Sequence, residues 1–243
     1  MERNVIEIFS SIQGEGKYVG YRQVFVRFEG CNLKCQYCDT ENQPGMHPVC
    51  QVEAHAGARE FLAVPNPMHL QEIAERINSL LSELPHQAVS FTGGEPLLQA
   101  DFIAALAPLV PAKFFLDTNG TLTEPLSRVL DQTAIISMDI KLPSVVGKEL
   151  WREHREFLQL AVQKEVYVKL VIAAETTDEE YAKAVQLIAS VDPACPLILQ
   201  PVTPAGGCKA APPEKVLQYQ AAALRELQDV RVIPQTHKSI GQL

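Results

Sequence analysis

Leu70, Ile73, Ala74, Ile77, Leu80, Leu81 and Leu84 recur at steps of three and four, which predicts an amphipathic helix over His69–Leu84. Shorter apolar runs surround it. Gln23–Phe28, Ala88–Phe91, Lys113–Leu116, Ala134–Ile140, Glu165–Ile172, Leu197–Gln200 and Val230–Ile233 are rich in β-branched and aromatic residues and read as strands. Leu97–Leu109, Glu124–Leu130, Lys148–Ala161, Asp178–Ser190 and Pro213–Leu227 read as helices, with Thr177 as the N-cap before Asp178. This alternation implies a parallel sheet covered by helices. Seven strands and six helices suit an open, partial (β/α) barrel of the TIM-like kind, since a complete eightfold barrel usually takes more chain. A doubly wound open sheet is the second architecture. No repeat divides the 243 residues, and a single domain over 1–243 is expected. Residues 42–67, with four prolines, are the least regular stretch. They read as an insertion, partly helical, and not as a domain linker.

Polar residues collect after the strands. Thr92-Gly93-Gly94-Glu95 follows one and Asp117-Thr118-Asn119-Gly120 the next. Ser137, Asp139 and Lys141, then Gln200, and the run Pro234-Gln235-Thr236-His237-Lys238 repeat the pattern, with Lys169 inside a further strand. Single turns and caps use such residues everywhere. Repetition over five strand ends points to one shared site at the C-terminal end of the sheet.

Composition narrows the partners. The formal net charge is −8 and no basic run is present, which argues against nucleic acid or an anionic membrane surface. No apolar run approaches the roughly 20 residues that span a bilayer. The start, Met1-Glu2-Arg3-Asn4-Val5-Ile6-Glu7, lacks the apolar region of an export signal. A soluble cytoplasmic protein is expected, with six cysteines that are reduced or bound to metal and not paired in disulfides.

Three of those cysteines are the main chemical signal. Cys31, Cys35 and Cys38 stand as C-x3-C-x2-C directly after an apolar strand. A cubane iron–sulfur cluster has four irons, so three clustered thiolates leave one iron open to a small molecule. A structural zinc site wants four ligands, usually as two separated pairs. His47, Cys50 and His55 show no such spacing, and Cys195 and Cys208 have no partner motif.

The cysteine spacing, followed by Thr92-Gly93-Gly94-Glu95-Pro96, resembles the radical S-adenosylmethionine (SAM) enzymes with their GGEP motif. Further segments are similar to one family among them, the 7-carboxy-7-deazaguanine synthases. They are Phe9-Ser10-Ser11-Ile12-Gln13-Gly14-Glu15-Gly16, Val26-Arg27-Phe28-Glu29-Gly30-Cys31-Asn32-Leu33, Cys38-Asp39-Thr40, Ser137-Met138-Asp139-Ile140-Lys141-Leu142-Pro143-Ser144 and Val232-Ile233-Pro234-Gln235-Thr236-His237-Lys238. The resemblance implies a radical SAM barrel, a [4Fe-4S] cluster, SAM and Mg2+. It implies conversion of 6-carboxy-5,6,7,8-tetrahydropterin to 7-carboxy-7-deazaguanine with loss of ammonia, in queuosine and 7-deazapurine biosynthesis.

Roles follow from the same resemblance. Cys31, Cys35 and Cys38 would ligate the cluster. Tyr37, Cys38, Asp39, Gly93, Gly94, Glu95, Ser137, Met138 and Asp139 would meet SAM. Ile12, Gln13, Gly14, Glu15, Arg27, Thr92 and His237 would hold the pterin, and Thr40 the Mg2+. Arg27 fits the substrate carboxylate because a guanidinium pairs with it in bidentate fashion. A flavodoxin or ferredoxin as electron donor and a homodimer are also implied. Val145 departs from the family, which often has a second serine after Pro143-Ser144. The alternative function is a glycyl-radical-enzyme activase, which shares the cluster motif but would need neither Arg27 nor His237.

Overall fold

The computed structural model describes residues 1–38, 40 and 43–242. From Leu70 onward, amphipathic runs and apolar runs become helices and strands in turn. The strands are β1 (Glu2–Arg3), β2 (Val5–Ile12), β3 (Arg22–Phe28), β4 (Val49–Glu53), β5 (Phe61–Pro65), β6 (Met68–His69), β7 (Ala88–Gly93), β8 (Phe114–Thr118), β9 (Thr133–Asp139), β10 (Glu165–Ile172), β11 (Leu197–Pro201) and β12 (Val230–Val232). The helices are α1 (Leu70–Glu83), α2 (Ala100–Leu106), α3 (Thr123–Val129), α4 (Pro143–Val146), α5 (Trp151–Ala161), α6 (Asp178–Val191), α7 (Pro213–Ala223) and α8 (Thr236–Ser239).

Among the described residues, ten strands form one sheet in the order β12-β11-β10-β9-β8-β7-β3-β2-β4-β5. From β3 to β12 all neighbours are parallel. The two ends of this order do not pair, so the sheet is open and no barrel closes. The expected seven strands are all present. Beyond them, β2 runs antiparallel along β3, and β4 and β5 extend that edge. The stretch read as irregular and partly helical therefore carries the β4–β5 pair and no described helix. Helix boundaries also differ. Gly147, left-handed at φ 71°, ends α4, so the next helix starts at Trp151 and not Lys148. Thr177 caps α6 as predicted, and Glu180 returns a bond to its backbone.

Alternate residues along the strands have opposite fates. One set, including Phe28, Phe91, Phe114, Ile136, Val168, Leu170 and Leu199, packs under the helices against Ile73, Ile77, Phe102, Leu126 and Phe157. Each such side chain contributes roughly 1.5–3 kcal/mol by leaving water. The other set faces inward. Near the strand starts it is apolar: Ala88, Phe115, Ile135, Tyr167 and Ile198, covered by Tyr18 and Ile233. Two residues further along each strand it becomes Ser90, Asp117, Ser137, Lys169 and Gln200. The apolar layer is a floor, and the site lies above it, with Asp117, Lys169 and Gln200 of the polar layer in its wall.

Candidate active site

The cluster loop leaves β3 at Gly30 and runs through Cys31, Cys35 and Cys38, which line one cavity with Tyr37, Thr40, Gly93 and Gly94. Two glycines let the β7 loop press against the cluster loop. A Cβ on Gly94 would lie 1.9 Å from the Gly30 carbonyl oxygen, and Gly93 holds φ at 116°, which L side chains rarely adopt. The backbone bonds Gly94 N–H to Phe28 O (3.1 Å) and Glu95 N–H to Gly30 O (2.8 Å) lock the two loops together.

Among the described residues no three Cys, His, Asp or Glu side chains converge closely enough for a single metal ion. An iron–sulfur cluster spreads its thiolates over separate irons, so its cysteines need a shared wall and not a common point. Three thiols on one cavity wall beside a glycine cradle fit that group. Burial pushes the Cys35 thiol up to about 11 and raises Cys31 as well. Burial favours the protonated thiol at both positions, and a bound iron would displace that proton. Cys31 Sγ accepts Leu33 N–H at 3.4 Å and lies 4.0 Å from Asn119 Nδ2.

A charged row crosses the cavity floor. Lys169 is 5% exposed, and its ammonium sits 2.5 Å from Glu15, 3.5 Å from Asp139 and 3.6 Å from Asp117. Burial alone would lower the Lys169 ammonium, but Asp117, Glu15 and Asp139 together hold it well above its usual value. Burial works against the Glu15 charge too, yet Lys169 and Gln235 bring its carboxyl down to about 2. Asp139 also pairs with Lys141 at 2.8 Å, and Lys141 bonds to the Tyr37 hydroxyl at 3.3 Å. Among the described residues, the second oxygen of Asp139 is buried without a hydrogen-bond partner, which leaves an acceptor open to a ligand.

A second cavity adjoins the first and shares Glu15, Arg27, Thr92, Asp117 and Gln235 with it. Phe9, Ile12, Gln13, Gly14, Phe25 and His237 complete its wall. Arg27 reaches it from β3, held by Glu7 of β2 at 2.5 Å. The Gln13 amide is engaged by the protein itself, with Gln23 at 3.2 Å and the Glu15 N–H at 3.0 Å. Gly14 lies under His237, and its carbonyl accepts the Thr236 N–H at 2.8 Å.

The structure thus brings together the cysteines, Tyr37, Thr40, Gly93, Gly94 and Asp139 on one side, and Ile12–Glu15, Arg27, Thr92 and His237 on the other. Three predicted residues lie elsewhere. Met138 points under the helices, fully buried in the outer core. Ser137 is 2% exposed and sits below the cavity, bonded to Asp117 and Tyr167. Glu95 is fully buried and lines neither cavity; it accepts from Leu97 N–H (3.0 Å), Thr118 Oγ1 (2.8 Å) and Asn119 N–H (2.8 Å). Asp39 lies outside the described residues. The strand-end pattern had marked Lys169, Lys141 and Asp117, though not the row they form. Glu7 and His154 gave no signal. His154, fully buried, accepts the Lys141 N–H at 3.1 Å and donates to Gly120 O at 3.0 Å, which fixes a neutral ring.

Residues 25–188 match the Radical SAM superfamily. The chain is 43% identical over 242 residues to the 7-carboxy-7-deazaguanine synthase of Geobacter sulfurreducens, covering 98% of this chain and 96% of that one. The enzyme of the same name from Archaeoglobus fulgidus is 35% identical over 251 residues, 99% of each. In fold, the chain resembles the crystal structure of QueE from Escherichia coli, with a TM-score of 0.63 at 18% identity over 98% of this chain and 95% of that one. A radical SAM methyltransferase from Sphaerobacter thermophilus gives 0.59 at 12% identity, covering 94% and 77%. Cluster loop, glycine cradle and near-full-length relatives agree: the chain belongs to the 7-carboxy-7-deazaguanine synthase family of the radical SAM superfamily.

Proposed function

We propose that this enzyme converts 6-carboxy-5,6,7,8-tetrahydropterin to 7-carboxy-7-deazaguanine and ammonia, within queuosine and 7-deazapurine biosynthesis. The observation that carries the reading is the pair of adjoining cavities. One is lined by the three thiols, and the other by Arg27, Glu15 and His237, with five residues common to both. When bound, the cluster and SAM supply the one-electron chemistry that removes hydrogen from the substrate. Cys31, Cys35 and Cys38 would hold the cluster; Tyr37, Gly93, Gly94 and Asp139 would hold SAM.

The protein's share is positioning. Arg27 meets the substrate carboxylate, a pairing suited to a planar fork of N–H donors. Gln13 has its own amide engaged, so Ile12–Gly14 act as a shaped backbone wall, while Glu15 and Thr92 offer polar contacts. Lys169 keeps Glu15 ionised, and it holds Glu15 and Asp139 in place as acceptors for N–H groups of the two ligands. His237 lies over Gly14 and keeps water from that end. Thr40, on the cluster side, would give its hydroxyl to a hydrated Mg2+. The whole chain would act as one radical SAM domain, a cytoplasmic homodimer reduced by a flavodoxin or ferredoxin. The activase alternative is not carried forward, because relatives matching almost end to end bear the synthase name.

The test is turnover of the anaerobically reconstituted protein with carboxytetrahydropterin, SAM and a reductant, followed by chromatographic identification of carboxydeazaguanine and ammonia. Arg27→Ala should raise KM tenfold to a hundredfold, roughly the worth of a charge-assisted pair, and Arg27→Lys should restore part of it. No product from the native chain would refute the reading. Thr40→Ala should lose most of the Mg2+ stimulation while SAM affinity holds. Unchanged stimulation would move the metal away from Thr40.

A further inference from the structure

Glu7 poses a question that the substrate reading leaves open. It sits directly opposite Arg27 in the β2–β3 register, and its Oε1 accepts from Arg27 Nε at 2.5 Å. Thr92 occupies the matching position of β7 on the other side of Arg27. The arginine stem is confined there as well, since a Cβ on Gly93 would lie 3.0 Å from Arg27 Cγ. Glu7 lines neither cavity, whereas Arg27 lines both. If Arg27 acted through charge alone, a carboxylate beside it would weaken its pull on an anionic ligand. The contact makes sense as geometry. A guanidinium bonded through Nε still offers its two Nη groups as a planar pair, the edge that pairs with a carboxylate. An arginine already held also loses less rotamer freedom on binding.

We infer that Glu7 is a positioning residue: it holds Arg27 by Nε and presents the Nη edge to the carboxylate of the substrate. This rests on the reading of Arg27 as the carboxylate's partner. What matters in Glu7 is the acceptor oxygen and its reach from β2. Glutamine keeps that oxygen without the charge, and leucine keeps the bulk without the oxygen.

The experiment is titration of the anaerobically reconstituted holoenzyme with three ligands: carboxytetrahydropterin, a tetrahydropterin lacking the carboxylate, and SAM. Glu7→Leu should weaken the first about tenfold, the size of one well-placed hydrogen bond to a charged group, and leave the other two within about twofold. Glu7→Gln should bind all three like the native chain. In turnover, Glu7→Leu should raise KM with little change in kcat. Combined with Arg27→Ala, it should add no further loss, because the group it positions is gone. Equal weakening of both pterins, or Glu7→Gln as poor as Glu7→Leu, would overturn the inference. So would a Glu7→Leu protein that binds normally while Arg27→Ala loses its preference for the carboxylated ligand; the reading of Arg27 would then stand without Glu7. An Arg27→Ala protein that keeps that preference would overturn both. Should circular dichroism show Glu7→Leu misfolded, Glu7→Asp, which withdraws the acceptor by one methylene, is judged by the same criteria.

Discussion

Lys169 has three carboxylates within 3.6 Å, and none of the four side chains is more than 24% exposed. Removing one partner of a buried ionic group leaves the rest uncompensated, which usually costs about 3–5 kcal/mol. Lys169→Met should therefore lower unfolding stability by that order in urea titration and abolish turnover. Lys169→Arg should recover stability more than activity, since the bulkier guanidinium must displace Glu15 or Asp139 to fit. The cysteines divide in the same residue-level way. Alanine at Cys31, Cys35 or Cys38 should remove the visible absorption of the reconstituted cluster. Alanine at Cys50, Cys195 or Cys208, all buried and none of them lining the cavity that those three share, should leave it. Full cluster absorption in Cys35→Ala would refute the ligand set.

At the scale of elements, the β7 loop is the joint between sheet and cluster loop. Gly94→Ala must move the Gly30–Cys31 backbone, because the 1.9 Å contact involves a carbonyl and not a flexible side-chain end. Reconstituted Gly94→Ala should hold markedly less iron per chain than the native protein. Glu95 ties the same loop to the end of β8 through Thr118 and Asn119. Burial raises its carboxyl to about 7 against the three bonds that favour its charge. A carboxyl raised on folding binds more protons in the native state, so its contribution to stability falls as pH rises from about 4.5 to about 7. The loss amounts to roughly 3 kcal/mol once the group is ionised. Glu95→Gln cannot ionise. Between pH 5 and pH 8 the native chain should lose stability relative to Glu95→Gln in paired urea titrations. A constant difference across that range would show that Glu95 does not titrate there.

Across the whole molecule, the two ends of the fold meet over the second cavity. The Gln13–Glu15 turn follows β2, the α8 region follows β12, and they are joined by Thr236 on Gly14 and Gln235 on Glu15 at 2.7 Å. A Cβ on Gly14 would lie 2.1 Å from His237 Nδ1. Gly14→Ala should therefore push α8 off the cavity. Pterin affinity should drop about tenfold or more while cluster content and SAM affinity stay near native, because the cluster loop lies at the other cavity. Normal pterin binding in Gly14→Ala would mean that α8 does not close the site.

The periodicities of 3.6 and 2, the βα alternation and the cysteine spacing are local properties, so the sequence by itself determined the parallel order of elements, the cluster motif and the gathering of polar residues at strand ends. Pairing partners are not local. β2 and the β4–β5 pair went unread because their edge position depends on hydrogen bonds to distant segments, and prolines in 42–67 masked two short strands. Which face of a strand looks inward was likewise undecided by the motif Ser137-Met138-Asp139: the pleat turns Met138 under the helices and Asp139 into the cavity. Glu95 reads as a ligand contact in a line of letters, and only its burial between two loops makes it a brace. The Lys169–Glu15 and Glu7–Arg27 pairs join residues 154 and 20 positions apart. Charges that far apart in the chain become neighbours only when the sheet curves around its apolar floor, and that is a property of the tertiary structure alone.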